Sequence, residues 1–186
     1  MIEIDKICKK YGEKIIYDNF SVRFDSGADY LLTGESGAGK TTLLRIIAGL
    51  EKPDSGRIDC PYKISFMFQD NRLLENRTAV ENIEICSGIP KENARKELQK
   101  LLPEDSLNIP ARDLSVGMKR RVALVRAMLF QGDVVILDEP FASLDEENID
   151  RVTNYILEHK TGRTLIVASH IVRTLDFCKN IEVGRT

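Results

Sequence analysis

The stretch Gly34-Glu35-Ser36-Gly37-Ala38-Gly39-Lys40-Thr41 constrains this 186-residue chain more than any other part of it. Glycines at its ends let the backbone turn tightly and aim successive N–H groups at one anion. The helix that begins at its end adds a positive dipole terminus. Lys40 supplies a point charge for the β- and γ-phosphates of a nucleotide, and Thr41 offers a hydroxyl to Mg²⁺. Glu35, Ser36, Gly37, Ala38 and Gly39 wrap the phosphates, with Thr42 following in the first helical turn. The flanks suit this loop. Tyr30-Leu31-Leu32-Thr33 is an apolar run that stops at Gly34, as a buried strand would, and Thr41–Leu50 is apolar nearly all round, as a buried helix would be. Strand, loop and helix together predict a nucleoside triphosphate site.

A second buried strand, Val134-Val135-Ile136-Leu137, runs directly into Asp138-Glu139. In open α/β sheets ligands bind at the carboxyl ends of strands, so both carboxylates belong beside the phosphate loop. Neighbouring strand residues point to opposite faces and cannot share a task. Asp138 is therefore assigned to the metal. Glu139 is assigned to a water poised for attack on the γ-phosphate.

The rest of the chain sorts into an N-terminal β part, a helical middle and an α/β remainder. Ile2-Glu3-Ile4 and Phe20-Ser21-Val22-Arg23-Phe24 alternate apolar and polar residues, as half-exposed antiparallel strands do. Ile64–Phe68 reads as a further buried strand. Thr78–Ile85 and Lys91–Leu102 are helical in pattern and bracketed by Gly88, Pro90, Pro103 and Pro110. A helix over Ser115–Phe130, the Val134 strand, a helix over Asp145–Lys160, a strand at Thr164–Ala168 and a helix over Ile171–Cys178 complete the order. Helices of that length between strands imply right-handed crossovers and a parallel sheet. The expected fold is α/β: a P-loop NTPase core with a mostly parallel sheet, an N-terminal antiparallel β subdomain and a small helical subdomain. One domain should span 1–186, with 1–70 and 115–186 as core and 71–114 as the helical part.

Composition narrows the partners. With 27 basic and 29 acidic residues the net charge is -2, so no nucleic-acid partner is expected. The basic run Lys119-Arg120-Arg121 reads as a solvated helix face, and His159 as solvent-exposed. No apolar stretch approaches the length of a membrane span or a signal peptide, which places the chain in the cytoplasm and any membrane link in a partner. Four scattered cysteines without a Cys-x-x-Cys pair read as reduced thiols.

With these residues in hand, the chain resembles the ATP-binding cassette (ABC) ATPases, and the resemblance runs over nearly its whole length. Tyr11-Gly12 matches the aromatic position that stacks on adenine, the alternative being that Tyr11 is an ordinary surface or core aromatic. Phe68-Gln69-Asp70 matches the glutamine loop, which implies that Gln69 serves both Mg²⁺ and catalysis. Leu114-Ser115-Val116-Gly117-Met118 stands at the family signature, Ser143-Leu144-Asp145 at the aspartate loop, and Ser169-His170 at the switch histidine that contacts the γ-phosphate. The resemblance implies an ATPase subunit using ATP and Mg²⁺. It also implies a head-to-tail dimer with a second ATPase subunit, in which Ser115 and Gly117 meet the partner's ATP. Separate integral permease subunits would hold the chain at the inner face of the membrane. The compact helical part and Met118 are similar to importer-type cassettes. Two rivals remain open. A phosphate-loop kinase of small molecules would share Lys40 and Thr41 but has no use for the signature. A soluble cassette ATPase of repair or translation would normally carry a coiled-coil insertion or a second cassette.

Val116 departs from the family pattern, replacing a glycine with a β-branched residue where backbone freedom would matter. The expected consequence is slower closure or hydrolysis, or pairing with a different ATPase subunit. Val116→Gly should raise turnover or ATP-dependent dimerisation, read by phosphate release and light scattering; unchanged values for both remove any role for the valine.

Overall fold

Chain order sets out β1 (Ile2–Tyr11), β2 (Lys14–Phe24), β3 (Asp29–Thr33), α1 (Lys40–Ile47), β4 (Ser55–Asp59) and β5 (Ile64–Met67). The helices α2 (Ala79–Ser87) and α3 (Lys91–Gln99) and the 3-10 turns Glu104–Asn108 and Ala111–Asp113 follow. The chain then forms α4 (Val116–Leu129), β6 (Val134–Asp138), α5 (Glu146–Lys160), β7 (Thr164–Ala168) and β8 (Lys179–Glu182). The computed structural model describes residues 1–171 and 175–184. Residues 172–174 of the helix expected over Ile171–Cys178 lie outside them, and Asp176–Cys178 form a turn rather than a helix.

The central sheet has the order β5-β6-β7-β3-β8, parallel throughout. Side-chain alternation divides its strands between two cores. Leu31, Val135, Leu137, Leu165 and Val167 pack towards α2, α4 and α5, whereas Leu32, Val134, Ile136, Ile166 and Ala168 pack towards α1 and the N-terminal strands. Both faces are covered, which is why these strands are apolar on both sides. The second sheet is antiparallel, in the order β2-β1-β4. Two of its strands extend well beyond the short alternating runs in the sequence, because register shifts and left-handed residues at Lys6 (φ 47°) and Asn19 (φ 53°) let the hairpin bend over α1. This architecture is the one the sequence predicts.

Two strands were not expected. β4 is a polar edge strand with little buried surface, and β8 joins β3 through Lys179–Glu182, most of which is exposed. Neither carries an apolar alternation.

Helix boundaries follow their caps. Thr78 and Glu81 form a capping box at the start of α2, and Asp145 caps α5 by accepting the Asn148 N–H at 2.9 Å. Those Asn148 donors hold the Asp145 carboxyl below the usual carboxylate range. α1 stops at Ile47, and Leu50, expected inside it, is 56% exposed.

The run Lys119-Arg120-Arg121 is not a solvated face: Arg120 is 3% and Arg121 9% exposed. Arg121 donates to the Leu101 carbonyl at 2.7 Å and to Asn148 Oδ1 at 2.6 Å, tying α4 to the end of the α3 segment and to α5. His159 is likewise not free in solvent. It stacks on Tyr155 at 3.9 Å between ring centroids, and its Nε2 lies 2.8 Å from Glu97 Oε2, which also accepts from the Tyr155 hydroxyl at 3.0 Å. These partly buried polar links add to the apolar packing between the helical segment and α5. All four cysteines are free and half-buried. Among the described residues no helix is long and apolar enough to cross a membrane.

The loop from Asp70 into α2 is organised by the fully buried Asn82. Its Oδ1 accepts from Leu74 N–H at 2.7 Å, and its Nδ2 donates to the carbonyls of Leu74, Arg77 and Thr78. Removing the amide leaves buried backbone groups without partners. Asn82→Ala should destabilise the fold by about 2–3 kcal/mol, measured by urea unfolding.

Candidate nucleotide site

The loop between β3 and α1 folds as its glycines dictate. Gly34 has φ 142°, and a Cβ there would sit 2.1 Å from the Val183 carbonyl oxygen, so the residue that follows β8 forms a wall of the loop. Val183 N–H donates to the Thr33 carbonyl at 2.7 Å, which fixes that wall. Gly39, at φ 108°, precedes α1, and a Cβ there would meet the Ile16 and Tyr17 side chains at 2.5 and 2.8 Å. A side chain at either position is excluded. Lys40 is buried, and its ammonium donates to the carbonyls of Gly34 at 2.7 Å and Glu35 at 3.2 Å, inside the curve of the loop. Glu35, Ser36 and Gly37 remain exposed, Ala38 is half-buried, and a cavity bounded by Lys14, Ile16, Gly34–Ala38 and Val183 opens on the loop's outer side.

Strand register brings the other groups to the same edge. Leu32 and Asp138 both pair with Ala168, so β3, β7 and β6 end level with one another. Thr41, in the first turn of α1, donates its hydroxyl to Asp138 Oδ1 at 3.2 Å. Asp138 is 2% exposed, and burial raises its carboxyl above the usual range while the Thr41 bond works against that. Glu139 turns the other way. Its carboxylate lies beside His170, with Oε1 3.4 Å from His170 Nε2 and Oε2 accepting the His170 N–H at 3.4 Å. Glu139 itself has φ 52°, a left-handed backbone that side-chain-bearing residues seldom adopt.

Gln69 is exposed in the turn after β5, and its carbonyl accepts from Arg120 at 2.7 Å. Tyr11 closes β1, is 47% exposed and donates its hydroxyl to Glu51. Ser115 caps α4, accepting from Met118 N–H at 3.2 Å. Among the described residues no hydrogen bond or ion pair joins Ser115 or Gly117 to the phosphate loop. Gly117 instead packs against the Ser143 carbonyl, where a Cβ would lie 3.3 Å away. Val116 is 65% exposed at the first position of α4, without positive φ. Its backbone therefore needs no glycine, and its side chain can act only on whatever faces that helix end.

This geometry has counterparts. A family model described as "ABC transporter" matches residues 17–142, more than half of the chain. The chain belongs to the ABC transporter family. The cassette is 31% identical over 184 residues to the cytochrome c biogenesis ATP-binding export protein CcmA of Gluconobacter oxydans, covering 98% of this chain and 87% of that one. It is 34% identical to the L-cystine import ATP-binding protein TcyN of Bacillus subtilis, covering 98% and 80%. In three dimensions it matches a dimeric post-hydrolysis state of the ATP-binding cassette MJ0796 bound to ADP and Pi, with a TM-score of 0.88 at 26% identity over 100% and 96% of the two chains. It is the ATP-binding, ATP-hydrolysing cassette of a transporter.

One contact in the cassette had no signal in the sequence. Tyr17 is 2% exposed, and its hydroxyl donates to the Gly39 carbonyl at 2.8 Å, pinning the loop where it enters α1. Burial pushes this phenol well above its ordinary pKa, so the proton stays on as donor. Tyr17→Phe should weaken ATP binding about 3–10-fold through the loss of one hydrogen bond, with the melting curve nearly unchanged; calorimetric titration checks this.

Proposed function

We propose that two copies of this cassette, or one copy and a related chain, close head to tail around two ATP molecules and drive permease subunits at the inner face of a membrane. Residues 1–186 act as one domain, with 71–114 as its helical subdomain. The observation that carries this reading is convergence at one sheet edge: the phosphate loop, the Thr41–Asp138 pair and the Glu139–His170 pair all lie where three parallel strands end.

The roles follow from residue chemistry. Tyr11 stacks on the base. Gly34 to Thr42 hold the phosphates, with Lys40 turning from the loop carbonyls to the phosphate oxygens. Mg²⁺ fits the donor set, because Thr41 Oγ1 and Asp138 Oδ1 are hard oxygen ligands already side by side, with Gln69 as a third. When bound, Mg²⁺ would neutralise charge developing on the phosphate oxygens. Glu139 accepts a proton from the water that attacks the γ-phosphorus as the bond to the β-phosphate oxygen breaks. His170, hydrogen-bonded to Glu139, contacts the γ-phosphate.

Among the described residues neither Ser115 nor Gly117 is hydrogen-bonded to its own phosphate loop, which suits a role opposite the partner's nucleotide at a helix N-terminus. ATP then favours the closed dimer because its phosphates bridge two surfaces, and hydrolysis releases it. An apolar groove of about 330 Å³ between Phe66, Phe68, Cys86 and Arg126 adjoins the Gln69 turn. That adjacency supports residues 71–87 as the relay to a permease. Relatives named as import and export ATP-binding proteins support the same subunit role.

Glu139→Gln tests the assignment. It should keep Mg-ATP binding, lower phosphate release at least about 100-fold, and accumulate an ATP-dependent dimer on size exclusion. Normal turnover in this variant would remove Glu139 as the base.

A further inference from the structure

A buried cation joins the signature helix to both loops that bracket the γ-phosphate position. Arg120 lies in the second turn of α4 and is 3% exposed. Its Nε donates to the Glu139 carbonyl at 2.9 Å, and its Nη2 donates to the Asp138 carbonyl at 2.7 Å and also to that of Glu139. Nη1 donates to the carbonyls of Phe68 at 3.0 Å and Gln69 at 2.7 Å, and to Asn71 Oδ1 at 2.8 Å. No carboxylate oxygen is among these acceptors. A planar fork of N–H donors suits two backbone segments converging on one point, whereas the single ammonium of lysine does not.

The segments it holds carry strained residues. Glu139 is at φ 52°, Asn71 at 56° and Arg72 at 46°. Left-handed non-glycine residues persist where surrounding bonds over-determine them. Glu139 is held on one side by its N–H to the Ala168 carbonyl at 2.8 Å and on the other by Arg120. Arg126, on the same helix, donates to the carbonyls of Asn71 and Arg72, both at 2.6 Å. The Glu139 carbonyl also accepts the Ala142 N–H, at 3.2 Å within its own turn, so Arg120 is what ties it to α4.

We propose that Arg120 is the positioning residue for Glu139 and Gln69, fixing both against the signature helix so that movement of that helix is transmitted to the attacking-water site. This inference rests on the roles given above to Glu139 and Gln69.

The test uses Arg120→Lys and Arg120→Gln in the full chain, with Glu139→Gln as the crossing variant. Both Arg120 variants should lower kcat about 10–100-fold, as expected for a small misplacement of a catalytic group, while the Kd for Mg-ATP rises far less, because the phosphate loop and the Thr41–Asp138 pair are untouched. Hydrogen exchange should accelerate at the Glu139 and Asn71 amides but not within α1. In the Glu139→Gln background, Arg120→Lys should cost far less than it does alone, since the part of its effect that runs through Glu139 is already lost. Turnover within twofold of the parent, a parallel loss of Mg-ATP affinity, or an additive double variant would each overturn the proposal. Loss of cooperative unfolding in both Arg120 variants would overturn it as well, because Arg120 would then be holding the fold. If instead Glu139→Gln alone left turnover intact, the fault would lie with the catalytic assignment and not with Arg120.

Discussion

The level ending of β3, β7 and β6 is the constraint on which the other features depend. Parallel strands in register release their following loops from one edge, so residues far apart in sequence meet without any long connection. Pairing of both Leu32 and Asp138 with Ala168 places the phosphate loop, the carboxylates and Ser169-His170 at a common height. A slip of one residue in β6 would send Asp138 to the opposite face and part it from Thr41. The buried apolar runs thus serve the chemistry indirectly: they hold the register.

Buried and half-buried arginines hold what the strands release. Arg120, Arg121, Arg126 and Arg163 direct their guanidinium groups chiefly at backbone carbonyls rather than carboxylates. Burial lowers the pKa of each, a sign of the cost of taking the charge out of water. The return is geometric. Arg163 donates to the carbonyls of Met128 and Phe130 at the end of α4 and of His159 and Lys160 at the end of α5. Those carbonyls have no partner further along their helices, and a cation there also complements the helix dipoles.

Legibility followed the kind of signal each residue leaves. The phosphate loop, the strand into Asp138-Glu139 and the α/β alternation were readable because glycine spacing and apolar runs are local patterns. β4 and β8 were not, since edge strands need only backbone pairing. Lys119-Arg120-Arg121 misled for a related reason: a run of charge signals solvent unless the carbonyls waiting for it are known, and these come from residues about 20 to 50 positions away. His159 failed likewise, its partner Glu97 lying on another helix. Tyr17 reads as one more apolar strand residue until its hydroxyl is found on Gly39. The expectation that position 116 needs a glycine backbone fell to the helix geometry there, which accepts valine.

The wall that Val183 places against Gly34 has a consequence for how the molecule is made. The phosphate loop leaves the ribosome long before Val183, the residue that encloses it. Until that residue is made the nascent chain carries an anion cradle open on one side, and a product that stops short of it has a cradle that never shuts.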